Sequence, residues 1–221
     1  MQTFDTPAPI SAVLDIPAGR VQFVAAGRAD TTVEVLPADP AKSRDVKVAE
    51  RTTVEYGDGV LRIETSAKHQ VLGNSGSVQV TVHLPADSRV EVKAASAELR
   101  AVGRFGEVAY DGAHGDVDLD DVAGVRLTTL AGDVCVGRLN GPAQISTAKG
   151  DIRIVEAVSG AVVLHTQAGD VSVGAAAGVD ASLDAGTNYG RIHNALKNSG
   201  GDAGLTIHAT TAYGDITARS L

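Results

Sequence analysis

The residues whose types and spacing point most directly to chemistry are aspartates that follow glycines. The Gly-Asp phrase precedes an aliphatic residue and returns at intervals of 17, 18, 19, 21 and 24 residues. A column of such carboxylates can bind a hard cation such as Ca²⁺, or each can accept backbone N–H groups at its own turn. The positions are Gly115, Asp116, Gly132, Asp133, Gly150, Asp151, Gly169, Asp170, Gly190, Gly214 and Asp215, with Arg191 after Gly190.

The turn role is the interpretation adopted for these aspartates. The phrases do not match the glycine-rich nonapeptide of calcium-binding β-rolls. Arg191 is expected inside the column, between Asp170 and Asp215, where it would relieve the repulsion of neighbouring carboxylates. We therefore expect no metal here.

A second set of polar residues, His165, Asp184 and His208, lies on the outward side of other predicted strands. Aligning the repeats on the apolar residue before each places them in one column, with the aspartate between two imidazoles. Such a set can bind Zn²⁺ or transfer protons. Aligning the repeats on their threonines instead places Asp184 and His208 beside Val163, with His165 two positions further on. A solvated face is the simpler expectation, because most polar side chains on a surface are solvated.

The repeat is least regular around His193, where Arg191 replaces the aspartate and the spacing lengthens. Tyr189, Asn188 and Asn194 accompany this histidine. An irregular rung with an aromatic residue can line a binding cleft. It can equally reflect packing drift near the end of the array, where terminal repeats are often atypical, and we favour packing drift.

The elements that must position these residues are strands. The phrases alternate aliphatic and polar residues, and a second short strand ends in a threonine three residues before each following glycine. One repeat buries too little apolar surface to be stable alone, so stacked rungs must stabilise one another. The pattern predicts an all-β chain: a parallel, β-helix-like β-solenoid over residues 96–221, preceded by a strand-rich cap over residues 1–95, in one continuous domain.

The N-terminal region has a different pattern. Alternation from Ser77 to Leu84 predicts a strand, and two alternating segments flanking Gly57-Asp58-Gly59 predict a hairpin. The polar segment from Ser66 to Gly76 predicts a surface loop. Residues 38–44 can hold one helical turn at most, and no other helix is expected.

The phrase Gly132-Asp133-Val134-Cys135-Val136, alternating with the segment 124–129, resembles a bacterial β-strand-repeat family described as adhesins of unknown function. The resemblance covers residues 96–218 well and the N-terminal part loosely. It implies the repeat fold and transfers no catalytic residues. The adhesin name implies surface display, for which this sequence shows no export signal.

The composition excludes several classes of partner. A net charge of −8 argues against nucleic acid and anionic membranes, which require a basic face. The lone cysteine, Cys135, cannot form an intrachain disulfide and has no cationic neighbours in the pattern, so it is expected to be a spectator thiol. The N-terminus lacks a signal-peptide pattern and no apolar run is long enough to span a membrane, so we expect a cytoplasmic protein.

Three function classes fit these observations. A non-catalytic scaffold or interaction module would bind a protein partner without turnover. A self-assembling filament, or an adhesin-like protein, would stack through the unpaired strand edges at the end of the array. A carbohydrate-active β-helix enzyme would need converging carboxylates, which aspartates placed at turns do not provide. The scaffold is preferred, with no enzyme activity and no cofactor expected.

Overall fold

The computed structural model describes residues 1–65, 76–198 and 203–221. The predicted all-β class is confirmed, since these residues form 17 strands and one helix. They divide into two compact units, Met1–Gly115 and Asp116–Leu221. Strand Arg89–His114 runs without a break past residue 95, where the sequence pattern changes. In the described ranges, no helix is long and apolar enough to cross a membrane.

The strands of the first unit are β1 (Gln2–Asp5), β2 (Ser11–Ala26), β3 (Asp30–Pro37), β4 (Thr52–Gly57), β5 (Val60–Thr65), β6 (Val78–Pro85) and β7 (Arg89–His114). The unit is organised around the long strand β2. Its first half pairs with β5, its second half pairs with β6, and β7 pairs along both halves, all in parallel. Antiparallel partners complete the unit, because β3 joins β1 to β6, and β4 forms the predicted hairpin with β5.

A helix, α1 (Ser43–Arg51), corrects the expectation of one helical turn at most. It contacts β3, β4, β5 and β6, with Val46 and Val48 half-buried. Asp45 is buried on the same helix, and its carboxylate accepts the N–H of Ser77 at 3.0 Å. The apolar residues of this helix show no clear 3.6-residue period in the sequence, because the charged Asp45 occupies part of the buried face. Of the predicted loop from Ser66 to Gly76, all but Gly76 lies outside the described residues.

The second unit consists of two stacks of parallel strands. The strands are β8 (Val117–Ala131), β9 (Val134–Leu139), β10 (Ala143–Lys149), β11 (Ile152–Ala157), β12 (Gly160–Ala168), β13 (Val171–Ala175), β14 (Ala181–Tyr189), β15 (Ile192–Ala195), β16 (Leu205–Tyr213) and β17 (Ile216–Ser220). The first stack has the order β8–β10–β12–β16–β14, and the second has the order β8–β9–β11–β13–β17–β15. A strand of the first stack and the strand that follows it in the second stack make one coil.

The coils are not stacked in chain order, which the sequence did not predict. The coil formed by β16 and β17 pairs on one side with β12 and β13, and on the other side with β14 and β15. The chain therefore passes over one position after β13 and returns to fill it. The coil of β14 and β15, called the end coil below, is the last of the stack although it is fourth of five in sequence.

Aliphatic ladders run through this unit at the inward positions. One ladder consists of Val162, Ile207 and their equivalents in β8 and β10, and ends at Leu183. Val162 and Ile207 are buried at 0% and 2% exposure, whereas Leu183 is only half-buried. In the second stack Ile216 is 1% exposed, and its neighbour Ile192 in the end coil is 47% exposed. The end coil thus leaves the inward ladders uncovered by the described residues.

Candidate functional site

The corner aspartates connect neighbouring coils instead of capping their own turns. Through Oδ1, each carboxylate accepts the backbone N–H of the residue that follows the corner glycine in the next coil. The N···O distances are 2.9 Å for Asp133 to Asp116, 2.8 Å for Asp151 to Asp133, 2.8 Å for Asp170 to Asp151, and 2.7 Å for Asp215 to Asp170. This aspartate ladder differs from the expectation that each carboxylate serves its own turn.

Arg191 ends the aspartate ladder and does not interrupt it, which corrects the expected position between Asp170 and Asp215. Its backbone N–H donates to Oδ1 of Asp215 at 2.8 Å, and its Nη2 donates to Oδ2 at 3.1 Å. The backbone hydrogen bond, followed by the guanidinium hydrogen bond, lowers the pKa of Asp215 below its usual value. The cause is the coil order, because the end coil carries Arg191.

The corner glycines and threonines form two further ladders beside the aspartates. Thr166 and Thr211 are buried, and their hydroxyls donate to the carbonyls of Gly150 and Gly169, at 3.1 and 3.0 Å. The glycines lie so close together that a Cβ added to Gly169 would come within 2.0 Å of the Gly150 carbonyl oxygen. The Thr-x-x-Gly-Asp phrase is therefore a coil-to-coil connector made of short polar contacts.

Removing one carboxylate from the ladder tests this bridging role. Asp151→Ala deprives the N–H of Asp170 of its acceptor, and we expect a loss of about 1 kcal/mol of unfolding free energy. Asp151→Asn keeps an oxygen acceptor and removes charge repulsion, so its loss is expected to be less than half as large. Urea unfolding followed by circular dichroism measures both variants. Equal losses would contradict a hydrogen-bonding role for the carboxylate.

His165, Asp184 and His208 do not come together as one three-residue site. The register follows the threonine alignment, with Val163 beside His208 and His208 beside Asp184. His208 Nδ1 lies 3.0 Å from Asp184 Oδ2, whereas His165 Nδ1 is hydrogen-bonded to the Thr210 hydroxyl at 2.8 Å. The imidazole, not the carboxylate, is in the middle of the column, because β16 is inserted before β14.

Neither a metal site nor a reactive thiol is evident in the described part of the chain. No three His, Cys, Asp or Glu side chains there are close enough to hold a metal ion. Burial, and then the negative charge of Asp118, raise the pKa of the Cys135 thiol, with a smaller opposing effect from Arg153. The thiol is therefore largely protonated at neutral pH.

The end coil brings together most of the polar candidates. Asp184 and Tyr189 are on β14, and His193 is on β15, where it pairs with Thr217. The ring of Tyr189 stacks on Tyr213 of the adjacent coil, with centroids 5.0 Å apart and planes 3° from parallel. Tyr189 remains 67% exposed and Tyr213 60% exposed.

Two residues of this surface, Tyr213 and Ile192, were missed by sequence reasoning. Tyr213 precedes a regular Gly-Asp phrase, so nothing marked it until its register with Tyr189 was known. Ile192 occupies the same phrase position as the buried Ile216, so nothing in its phrase marked it as exposed. The lengthened intervals of 21 and 24 residues were the available signal, because the chain needs extra residues to pass over a coil.

Comparisons with known proteins show the family of this chain and a solved structure of similar fold. A family model described as Toastrack DUF4097 matches residues 13–220, which confirms the resemblance drawn from the Gly-Asp repeats. A solved structure of a candidate adhesin from Bacteroides fragilis has 14% identity and a TM-score of 0.62, covering 98% of this chain and 95% of that one. A candidate cell adhesion protein from Clostridium sporogenes has 12% identity and a TM-score of 0.43, covering 100% and 98%. No curated protein matches the chain.

Proposed function

We propose that this chain, which belongs to the Toastrack DUF4097 family, is a non-catalytic interaction module. In this proposal its second unit is a parallel β-solenoid that binds an extended protein segment along the outer edge of the end coil. The observation that carries the proposal is the uncovered inward ladder, with Ile192 at 47% exposure where its neighbour Ile216 is at 1%.

The backbone of β14 supports binding by strand addition. The C=O of Asp180 accepts the N–H of Leu205, so the backbone groups of even-numbered residues face β16. Because backbone groups alternate sides along a strand, those of Leu183, Ala185 and Thr187 face the outer edge. The N–H of Ala181 also faces this edge and bonds to the C=O of Lys197 at 3.5 Å. In the described part of the chain, β14 pairs with no strand except β16.

The edge lacks the features that usually block strand addition. Natural edge strands are protected by being short, by proline, by lysine or by inward-pointing charge. β14 has nine residues and contains no proline and no lysine. Its only charged side chain is Asp184, which is exposed and points outward. An added strand would gain main-chain hydrogen bonds along this edge and apolar contact with Leu183 and Ile192.

The placement of the acids supports a non-catalytic role. Four aspartates of the second unit each bind a backbone N–H of the neighbouring coil through one oxygen, and Asp215 binds Arg191 through both oxygens. These carboxylates are spaced along the stack, and their hydrogen bonds are structural. A glycoside hydrolase needs two carboxylates that face one bond from opposite sides.

A displayed library of random peptides tests the proposal. Peptides that bind the full chain are expected to be extended and alternately apolar, and to lose binding to an Ala185→Pro variant. Proline removes an N–H from the outer edge without breaking a bond to β16, and edge strands accept proline at such positions.

The matched control is Gly186→Ala, because a Cβ at Gly186 meets nothing within 4 Å. This variant is expected to bind the selected peptides as the unsubstituted chain does. Peptides that bind the proline variant equally well would place the binding surface elsewhere, and a library without binders would contradict the proposal.

A further inference from the structure

We infer that the extended segment bound by the end coil is the same strand of a second copy, giving a closed two-fold dimer. This inference rests on the proposed function, since it names the partner of the same edge. In the dimer, β14 of one chain pairs antiparallel with β14 of the other, so that the first stack continues across the two copies.

The outer edge of β14, which pairs with no other strand among the described residues, defines the register of the dimer. The outward backbone groups belong to Leu183, Ala185 and Thr187, so their centre is Ala185. A two-fold axis at Ala185 pairs it with itself and pairs Leu183 with Thr187 of the second copy. Each such pair can exchange two backbone hydrogen bonds, as in an antiparallel sheet. No outward backbone group of these three residues is left without a partner.

The charges of the edge are compatible with this register. Asp184 lies opposite Gly186 of the second copy, so the two aspartates are not directly opposed. A register shifted by one residue in each chain would place Asp184 against itself, which is unfavourable. The register centred on Ala185 is thus preferred both by hydrogen bonding and by charge.

The end coil is also locally neutral in a strongly acidic chain. Among residues 180–198 there are two acidic residues, Asp180 and Asp184, and two basic residues, Arg191 and Lys197, whereas the whole chain has a net charge of −8. Two copies that meet at the end coil therefore do not bring segments of net negative charge together.

Apolar surface at the end coil would be buried in the dimer. Leu183 and Ile192, at the ends of the inward ladders, would contact their equivalents across the axis, extending each core into the other. Tyr189 would lie beside the start of β14 of the second copy. Tyrosine is among the residues that most often anchor a protein interface.

The same geometry favours a dimer over the filament considered from the sequence. A two-fold pairing uses the same edge of both copies and is complete with two chains. Continued growth would require another sheet edge to accept a copy. Within the first unit, α1 contacts β3, β4, β5 and β6, and the edge strand β1 has only four residues.

Sedimentation velocity of the full chain over a wide dilution series is the first test. The chain is expected to change reversibly from the mass of one chain to that of two, with no larger species. Ala185→Pro is expected to stay at the mass of one chain under conditions where Gly186→Ala dimerises. A circular dichroism melt compares the folding of these variants.

A crosslinking experiment tests the register even if the proline variant does not fold. In a Cys135→Ser background, Asp184→Cys and Gly186→Cys chains are prepared separately, mixed and oxidised. The mixture is expected to form a disulfide-linked pair, because residues 184 and 186 oppose each other in a non-hydrogen-bonded pair with Cα atoms about 4.5 Å apart. Either chain alone is expected to crosslink poorly, because its two cysteines would exceed the roughly 7 Å Cα separation that a disulfide tolerates.

Three results would overturn this inference. The chain could stay monomeric at every concentration, or it could form species that grow without limit. The Ala185→Pro variant could also dimerise as well as the unsubstituted chain, with no disulfide formed between residues 184 and 186. None of these results decides the proposed function. Peptides from the library that bind a monomeric chain, and lose binding to Ala185→Pro, would leave the interaction module intact and identify its partner as a foreign strand.

Discussion

Gly150→Ala is expected to lower the free energy of unfolding by about 3 kcal/mol or more. Gly150 has a φ of +142°, which residues with a side chain rarely adopt. A Cβ there would lie 2.1 Å from the carbonyl oxygen of Gly132. That oxygen belongs to backbone held in the stack, so relief requires the coils to separate at this corner.

The control for this substitution is Gly186→Ala, in the exposed part of β14. Gly186 does not have a positive φ, and a Cβ there meets nothing within 4 Å. Its unfolding free energy is expected to stay within about 0.5 kcal/mol of the unsubstituted chain. Urea denaturation followed by circular dichroism compares the two variants, and a Gly150→Ala protein as stable as Gly186→Ala would refute close contact between the corners.

The second large expected effect is a difference between two substitutions, and its sign depends on the order of the coils. Ile207→Ala is expected to cost about 3 kcal/mol, because Ile207 is 2% exposed between Val162 and Leu183. Leu183→Ala is expected to cost about 1 kcal/mol, because Leu183 is half-buried at the end of the same ladder. Both substitutions remove three carbon atoms from aliphatic side chains of equal volume, so the comparison is matched.

If the coils were stacked in chain order, Leu183→Ala would lower the free energy of unfolding more than Ile207→Ala. In that arrangement Leu183 would be enclosed between Val162 and Ile207, and Ile207 would be at the end. Unfolding is measured by urea denaturation at a concentration where the chain is monomeric, so that contacts with a second copy do not protect Leu183. A greater loss for Leu183→Ala than for Ile207→Ala would contradict the coil order described here.

Cysteine pairs give a direct geometric check of the same order. In a Cys135→Ser background, Val163→Cys with His208→Cys is expected to form an intrachain disulfide, because these residues are direct neighbours. Val163→Cys with Asp184→Cys is expected to remain reduced, because β16 separates the two strands. Coils in chain order would give the opposite result.

The role of the aspartates was only partly predictable. Their position at the corner followed from the Gly-Asp phrase, because glycine permits the unusual backbone and aspartate accepts N–H groups near a bend. The identity of the donor did not follow, since a carboxylate at a corner can reach its own turn or the next coil. Only the close stacking of corners, with Asp170 N–H 2.8 Å from Asp151 Oδ1, decides for the next coil.

The residues of the candidate site were also only partly predictable from the sequence. Tyr189 and His193 were selected because the repeat is irregular around them, and Asp184 was selected because one alignment placed it in a column with two histidines. All three lie on the end coil. His165 was grouped with Asp184 through one of two alignments, and the structure follows the other. Tyr213 and Ile192 carried no local signal, because their environment depends on which coil lies beside them.

The sequence by itself determined the local structure of this protein: aliphatic residues at every second position make strands with one buried face, and Thr-x-x-Gly-Asp makes the corners. These features depend on residues a few positions apart, so they can be read locally. The tertiary structure decided the order of the coils. Every repeat presents nearly the same aliphatic face and the same corner, so almost any coil can pair with any other. The longer connections after β13 and β15 allow the chain to pass over a position and return, and this choice leaves Arg191, Tyr189 and Ile192 at the exposed end.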